Sequence, residues 1–225
     1  MRIPAYGRVL LGRDELAQTD DEVKLPADTT MWWTTAGRPD GSTAQGPPVL
    51  LDGGFLTALG IPTDSESLRG TPGRMARAYA ELFSPRAFDL TTFPNDEGYD
   101  ELVLARRIPV RSVCEHHLLP FLGTAHVGYL PGARILGLSK LARVVEHFAC
   151  RPQVQERLTK QVADWLQTRL EPKGVGVVIE AEHSCMTLRG VQATGSSTMT
   201  STLLGLLRSD ARSRSEFLAL TGATS

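Results

Sequence analysis

From about Leu50 onward the apolar residues fall into periods that mark successive elements. Leu51 to Leu59 predicts a first helix. Thr71-Pro72 starts a second, since proline fits the first helical turn and threonine can cap it. Met75, Ala78, Tyr79 and Leu82 form its apolar stripe, and Ser84-Pro85 ends it. Residues 86–100 read as loop, with Pro94-Asn95-Asp96 as a turn. Leu102 to Val113, rich in Val, Leu and Ile, reads as a strand, and Pro109 inside it points to an edge position or a bulge. Gly123 to Leu130 is a second strand, followed by the turn signal Pro131-Gly132. Leu141, Val144, Val145 and Phe148 then recur at i, i+3, i+4 and i+7, the pattern of an amphipathic helix starting at Ser139, with His147 on its exposed side. Arg151-Pro152 breaks that helix. The next carries Val154, Leu158, Val162, Trp165 and Leu166 on one face, with Glu156 and Lys160 as a surface pair. Gly174 opens a strand running to about Cys185, and helices are predicted over Ser201–Leu207 and Ser213–Leu220. This order predicts an α+β fold, a largely antiparallel sheet with helices on one face.

Residues 1 to about 48 sustain neither period. They hold Asp20-Asp21-Glu22, the pair Trp32-Trp33 and several Gly-Pro turns, and read as a flexible N-terminal extension. Residues 49–225 then make one domain, a helical part over 49–100 and a sheet-and-helix core over 101–225. Hydrophobic residues are 41% of the 225, enough for a buried core. The formal charge of −1 gives no reason to expect bulk binding to nucleic acid. No charged segment followed by an apolar run opens the chain, and no apolar run has membrane-spanning length. A cytoplasmic protein is the expectation. The three cysteines, Cys114, Cys150 and Cys185, do not make a disulfide framework.

Two of those cysteines sit among histidines, in Cys114-Glu115-His116-His117 and His183-Ser184-Cys185. Cys114 and His117 are three apart, so one tight turn can aim both at a single point, and Cys185 can add a third ligand from a distant strand. Two thiolates and an imidazole suit zinc, and three protein ligands leave the fourth position open, as a catalytic site requires. His116 and His117 are neighbours whose rings should diverge. That leaves His116 and His183 for proton transfer and Glu115 to orient an imidazole. The alternative is a closed structural zinc with His126 or His183 as fourth ligand. Cys150 reads as a plain thiol. Alternation along Val175–Cys185 puts His183 and Cys185 on the apolar face, with Glu180 and Glu182 on the solvated one.

Ser139-Lys140-Leu141-Ala142-Arg143 opens a helix whose N-terminus, with Ser139 as cap and two cations on one face, suits a phosphate. Arg189, four residues past Cys185, can join them. A solvated basic face would look the same. Glu156, after Gln153-Val154-Gln155 at a helix start, could accept two parallel hydrogen bonds from an amidine edge such as guanine presents.

Several longer motifs occur in one order: Thr71-Pro72-Gly73-Arg74, Cys114-Glu115-His116-His117, Gly137-Leu138-Ser139-Lys140, Arg151-Pro152-Gln153-Val154-Gln155-Glu156-Arg157-Leu158 and His183-Ser184-Cys185-Met186-Thr187-Leu188-Arg189-Gly190. Over roughly residues 50–220 they resemble the GTP cyclohydrolase I family. That resemblance implies the tunnelling fold, assembled as a homodecameric ring with active sites between subunits. It implies one zinc per subunit on Cys114, His117 and Cys185. The triphosphate of GTP would lie on Ser139, Lys140, Arg143 and Arg189, with Arg74 from a neighbouring subunit. Guanine would be held by Gln155 and Glu156, and His116 and His183 would move protons. The implied reaction opens the guanine imidazole ring, releases C8 as formate and forms 7,8-dihydroneopterin triphosphate, the first step towards tetrahydrofolate or biopterin. Arg107 stands where the family commonly has an acidic residue and Cys150 where it has a basic one; the first 48 residues do not match. A zinc deaminase would carry Pro-Cys-x-x-Cys with His-x-Glu, which this chain lacks. A binding protein that had lost catalysis on the same fold would lack a ligand or a spare histidine, and all are present.

Overall fold

The structure, a computed structural model, describes residues 2–3 and 53–222. The expected N-terminal extension, with Trp32-Trp33, lies outside the described residues. Contacts divide the chain into two compact units, split between Ser84 and Pro85. The N-terminal one holds helix α1 (Gly53–Ala58) and helix α2 (Thr71–Leu82). α1 ends at Ala58, one residue before the expected Leu59, and the expected start at Leu51 lies outside the described residues. In α2, Pro72 stands in the first turn as expected, but Gly70 is the capping residue and Thr71 makes no side-chain cap. The Thr71 hydroxyl instead accepts from the Arg74 guanidinium (2.6 Å), which also reaches the carbonyl of Ser67 (2.8 Å).

The second unit is built on a five-stranded sheet in the order β7-β4-β5-β8-β9. Its strands are β4 (Val103–Cys114), β5 (Pro120–Leu130), β7 (Pro152–Gln153), β8 (Gly174–His183) and β9 (Thr198–Gly205). All neighbours are antiparallel except β4 and β7, which run parallel, so the sheet is mixed. Strand alternation sorts the residues. Ile108, Val110, Phe121, Ala125, Val127, Val175, Val177 and Ile179 point one way, into the main core. Helices α3 (Ser139–Ala149) and α4 (Gln155–Leu170) cover that face with Leu141, Val144, Val145, Leu158, Val162 and Leu166, all fully buried. Burying each such side chain contributes about 1.5–3 kcal/mol. β4 carries a bulge. Its register to β5 shifts between Ala105 and Ile108, and Arg107 takes a left-handed φ of 54°. Pro109 lies just past the bulge on a stretch of β4 that no second strand pairs, as its missing N–H requires.

Helices are not confined to one face. On the other side of the sheet, α6 (Leu206–Ser209) and α7 (Ala211–Thr221) bring Leu207 and Phe217 against Leu130 and Val178. Gly128 and Gly176, register partners on β5 and β8, leave the depression that the Phe217 ring fills. A Cβ added at Gly176 would stand 2.7 Å from Phe217 Cζ. Gly176→Ala should therefore lower stability by about 1–3 kcal/mol, the range for overpacking a filled core. A shift in urea midpoint checks this, and an unchanged midpoint would mean that α7 gives way freely. Asp210 caps α7 by accepting from the Ser213 N–H at 2.7 Å, and Gly222 ends it in the left-handed region.

Four further expectations need correction. Of the helix expected over Ser201–Leu207 only Leu206 and Leu207 are helical, in α6: Thr198, Thr200 and Thr202 sit at alternate positions of β9 and pair along β8, as β-branched residues favour. Lys160 pairs with Asp164 (2.5 Å) rather than Glu156. Residues 86–100 contain two short strands. Strand β2 (Phe88–Asp89) pairs with β1 (Arg2–Ile3), and β3 (Thr92–Pro94) pairs with β6 (Arg134–Leu136). Through them Phe88 reaches α3 and α4, edge-on to His147 and tilted against Trp165, each at 6.1 Å between ring centres. His147 is thus buried, 3% exposed, rather than on a solvated side.

Burial pushes the His147 imidazole down to about 4 from an ordinary 6.5, with the Arg151 charge in support. A depressed histidine pKa favours the neutral folded form above pH 6.5. That contribution is lost as the pH falls from 6.5 towards about 4, because the unfolded chain then binds the proton. At 1.36 kcal/mol per unit the loss is at most about 3 kcal/mol. His147→Gln should flatten the acid limb of the stability curve in this window relative to the parent chain. Parallel acid limbs in urea titrations at pH 7.5 and 4.5 would contradict the assignment.

Candidate metal and nucleotide site

The edge of the sheet where β4 and β8 end gathers the chemistry. Cys114 is the last residue of β4 and is buried. Its N–H donates to the Leu119 carbonyl (2.8 Å), and its carbonyl accepts from the N–H groups of His117 (3.3 Å) and Leu118 (2.8 Å). That closes a tight turn, with Leu118 at a left-handed φ of 52°, and folds His117 back over the strand end. Cys185 is not on the strand. β8 stops at His183, and Cys185 sits in the single helical turn α5 (Ser184–Thr187) that follows. The strand-alternation argument for Cys185 therefore fails, although the turn still delivers its sulfur to the expected place.

The donor atoms of Cys114, His117 and Cys185 all lie within 4.8 Å of one another. Both His116 and His117 bring Nδ1 to 3.7 Å from the Cys114 sulfur, with their rings T-shaped at 6.3 Å. Only His117 also falls within the group that includes Cys185. Burial and the neighbouring Cys114 sulfur push the Cys185 thiol up. Two thiols this close oppose each other's ionisation, and a divalent cation between them removes that opposition. The set therefore fits a thiophilic metal ion.

His126 projects from the opposite face of β5, opposite Val178, and so points away from this group. His183 is not in the group either. Its ring stacks on Phe121, its register partner, at 4.5 Å and 12°. Its Nε2 lies 2.7 Å from Gln155 Oε1. Burial pulls the His183 imidazole below its ordinary value, and the Glu156 carboxylate works against that. His116 has its Nε2 4.0 Å from the Glu115 carboxylate, which is also ion-paired to Arg157. Glu115 thus addresses His116 rather than His117. Arg157 is a residue that the sequence reading passed over. It also donates to Gln153 Oε1 (2.9 Å) and to the Pro152 carbonyl, tying the Cys114 turn to the start of α4.

The residues expected to bind nucleotide are distributed as follows. Ser139 is exposed in the first turn of α3, and Leu138, not Ser139, is the cap residue. Lys140 is half-buried with its Nζ 5.9 Å over the Phe88 ring. Arg143 pairs with Glu146 (3.6 Å), a carboxylate that Arg86 grips through two bonds and holds below its ordinary range. Arg189 is exposed just after α5. Arg74 belongs to the N-terminal unit. Glu156 is exposed in the first turn of α4. Gln155, by contrast, is 1% exposed, and its amide is committed to protein partners. Cys150, expected to be a plain thiol, is half-buried, with burial pushing it up to about 11.

Residues 53–222 match the model of the family described as GTP cyclohydrolase I. The chain belongs to that family. GTP cyclohydrolase 1 of Aquifex aeolicus is 53% identical over 166 residues, covering 74% of this chain and 90% of that protein. GTP cyclohydrolase 1 of Streptomyces avermitilis is 54% identical over 171 residues, covering 74% and 85%. A solved structure, the archaeosine synthase QueF-Like in its apo form, aligns with 46% of this chain and 93% of its own at 18% identity and a TM-score of 0.37. With family membership goes the hydrolase activity on GTP, and the Cys-His-Cys group is consistent with a metal in that role. Among the described residues no helix is long and apolar enough to cross a membrane.

Proposed function

We propose that this chain converts GTP to 7,8-dihydroneopterin triphosphate and formate, using zinc held by Cys114, His117 and Cys185. The observation that carries this reading is the three-donor group beside two histidines that do not belong to it. Zinc bound there would act as a Lewis acid and lower the pKa of water near neutrality. The remaining work falls to the chain. His183 gives a proton to N7 of guanine as water adds at C8, and His116, oriented by Glu115, serves the second hydrolysis that frees formate. Glu156 accepts from the guanine N1–H and amino group; its exposure at the start of α4 suits that contact. Ser139, Lys140, Arg143 and Arg189 hold the triphosphate, with the α3 N-terminus adding its N–H donors. Gln155 precedes Glu156 at the guanine end, but its side chain is taken up by protein partners.

The same reading takes the chain to be a cytoplasmic homo-oligomer, in which a neighbouring subunit lends Arg74. Three unpaired thiols suit a reducing compartment. The test is formate release from GTP by zinc-loaded protein, with pterin absorbance followed in the same sample. Formate and pterin rising together support the reading. Formate without pterin would restrict the chain to ring opening, and neither product with metal still bound would reject it.

A further inference from the structure

We infer that Gln155 is a positioning residue for His183, fixing its ring orientation and tautomer, rather than a reader of guanine through its side chain. This rests on the role given to His183 above. The Gln155 amide nitrogen faces three acceptors: the Ile179 carbonyl at 3.0 Å, the Thr198 carbonyl at 2.9 Å and Thr200 Oγ1 at 3.1 Å. Reversing the amide would turn its oxygen onto two carbonyl oxygens, so the network assigns it one way. Oε1 is then the atom 2.7 Å from His183 Nε2. An amide oxygen only accepts, so His183 Nε2 must donate. In the neutral ring Nδ1 is left bare, so a proton given to substrate must be one that Nδ1 has first taken up. Phe121 stacked on the ring removes the remaining freedom to tilt. The clamp is anchored to the scaffold at two strands, since Ile179 lies on β8 and Thr198 and Thr200 on β9. Thr159 of α4 closes the network, with its hydroxyl 2.6 Å from that of Thr200.

A side chain this buried contributes no free polar atom to a base, whereas a guanine reader would. The two roles separate in kinetics. Gln155→Met keeps the volume and removes the acceptor. It should lower kcat by about tenfold or more, within the range for a misaligned acid–base group. GTP affinity of the metal-free protein, read by calorimetry, should stay within about twofold, and metal content should be unchanged. In a His183→Ala background the same substitution should cost nothing further. Thr200→Val, which removes one bond to the amide nitrogen, is the milder variant should Gln155→Met fold poorly, and it should move kcat in the same direction by less. A crystal structure of either variant should show the His183 ring turned from its place on Phe121, a readout independent of activity. A raised GTP dissociation constant with kcat intact, or full additivity with His183→Ala, would overturn the inference. A parent protein that releases no formate would count against the proposed reaction instead, and the ring orientation would still decide this point.

Discussion

Cys185→Ser is expected to strip the metal and the activity together while leaving the fold in place. The serine hydroxyl is hard and does not ionise near neutrality, so it cannot replace a thiolate on a soft cation. Cys114 and His117 alone would leave a two-donor site. Losing an outer-shell partner already costs about 10–100-fold in metal affinity, so losing one of three direct ligands should exceed that. Cys185 is half-buried on the short turn α5 at the margin of the main core, and serine is nearly its size. Circular dichroism and the urea midpoint of the metal-free protein should therefore hardly move. Metal per chain, measured after dialysis by elemental analysis, should fall from near one towards zero, with formate release falling in step. A variant that kept stoichiometric metal would show that the thiophilic site lies elsewhere.

His183→Ala should do the reverse, keeping the metal and losing turnover. The ring stands outside the three-donor group, held between Phe121 and Gln155. Its removal takes away a proton-transfer group, which is worth about 10²–10⁴ in rate. GTP binding should survive, because the contacts proposed for base and phosphates lie on other residues. Measured together, kcat, GTP affinity and metal content form the decisive set. Metal lost along with turnover would make His183 a fourth ligand, and the open coordination position would then disappear.

Much of the site was legible because its signals are local. The Cys114–His117 spacing fits a single turn, and the α3 and α4 stripes follow helical period, so both survive folding. Contacts between distant segments were not legible. His147 reads as polar on its own helix, and only the arrival of Phe88 from another strand buries it. Cys185 was assigned to a strand because the apolar alternation runs through it, yet the chain turns helical at Ser184. Gln155 sits one residue before Glu156 and looks equally available, but helix geometry points it into the sheet while Glu156 faces out. Phe217 gave no hint of its seat, because the vacancy it fills is made by two glycines far apart in sequence.

The bulge in β4 has a consequence for the chemistry. Before it, the odd-numbered residues Val103 and Ala105 stand opposite the inward residues of β5; after it, the even-numbered Ile108, Val110 and Ser112 do. The extra residue at Arg106-Arg107 reverses the inside–outside phase of the strand. Cys114 is even-numbered and inherits the reversed phase, which turns its sulfur towards Cys185. In an unbulged strand with the same sequence, Val113 would face that way and Cys114 would face its back. The donor set thus depends on a backbone irregularity well upstream. Straightening the bulge with every residue kept would turn the Cys114 sulfur away from Cys185.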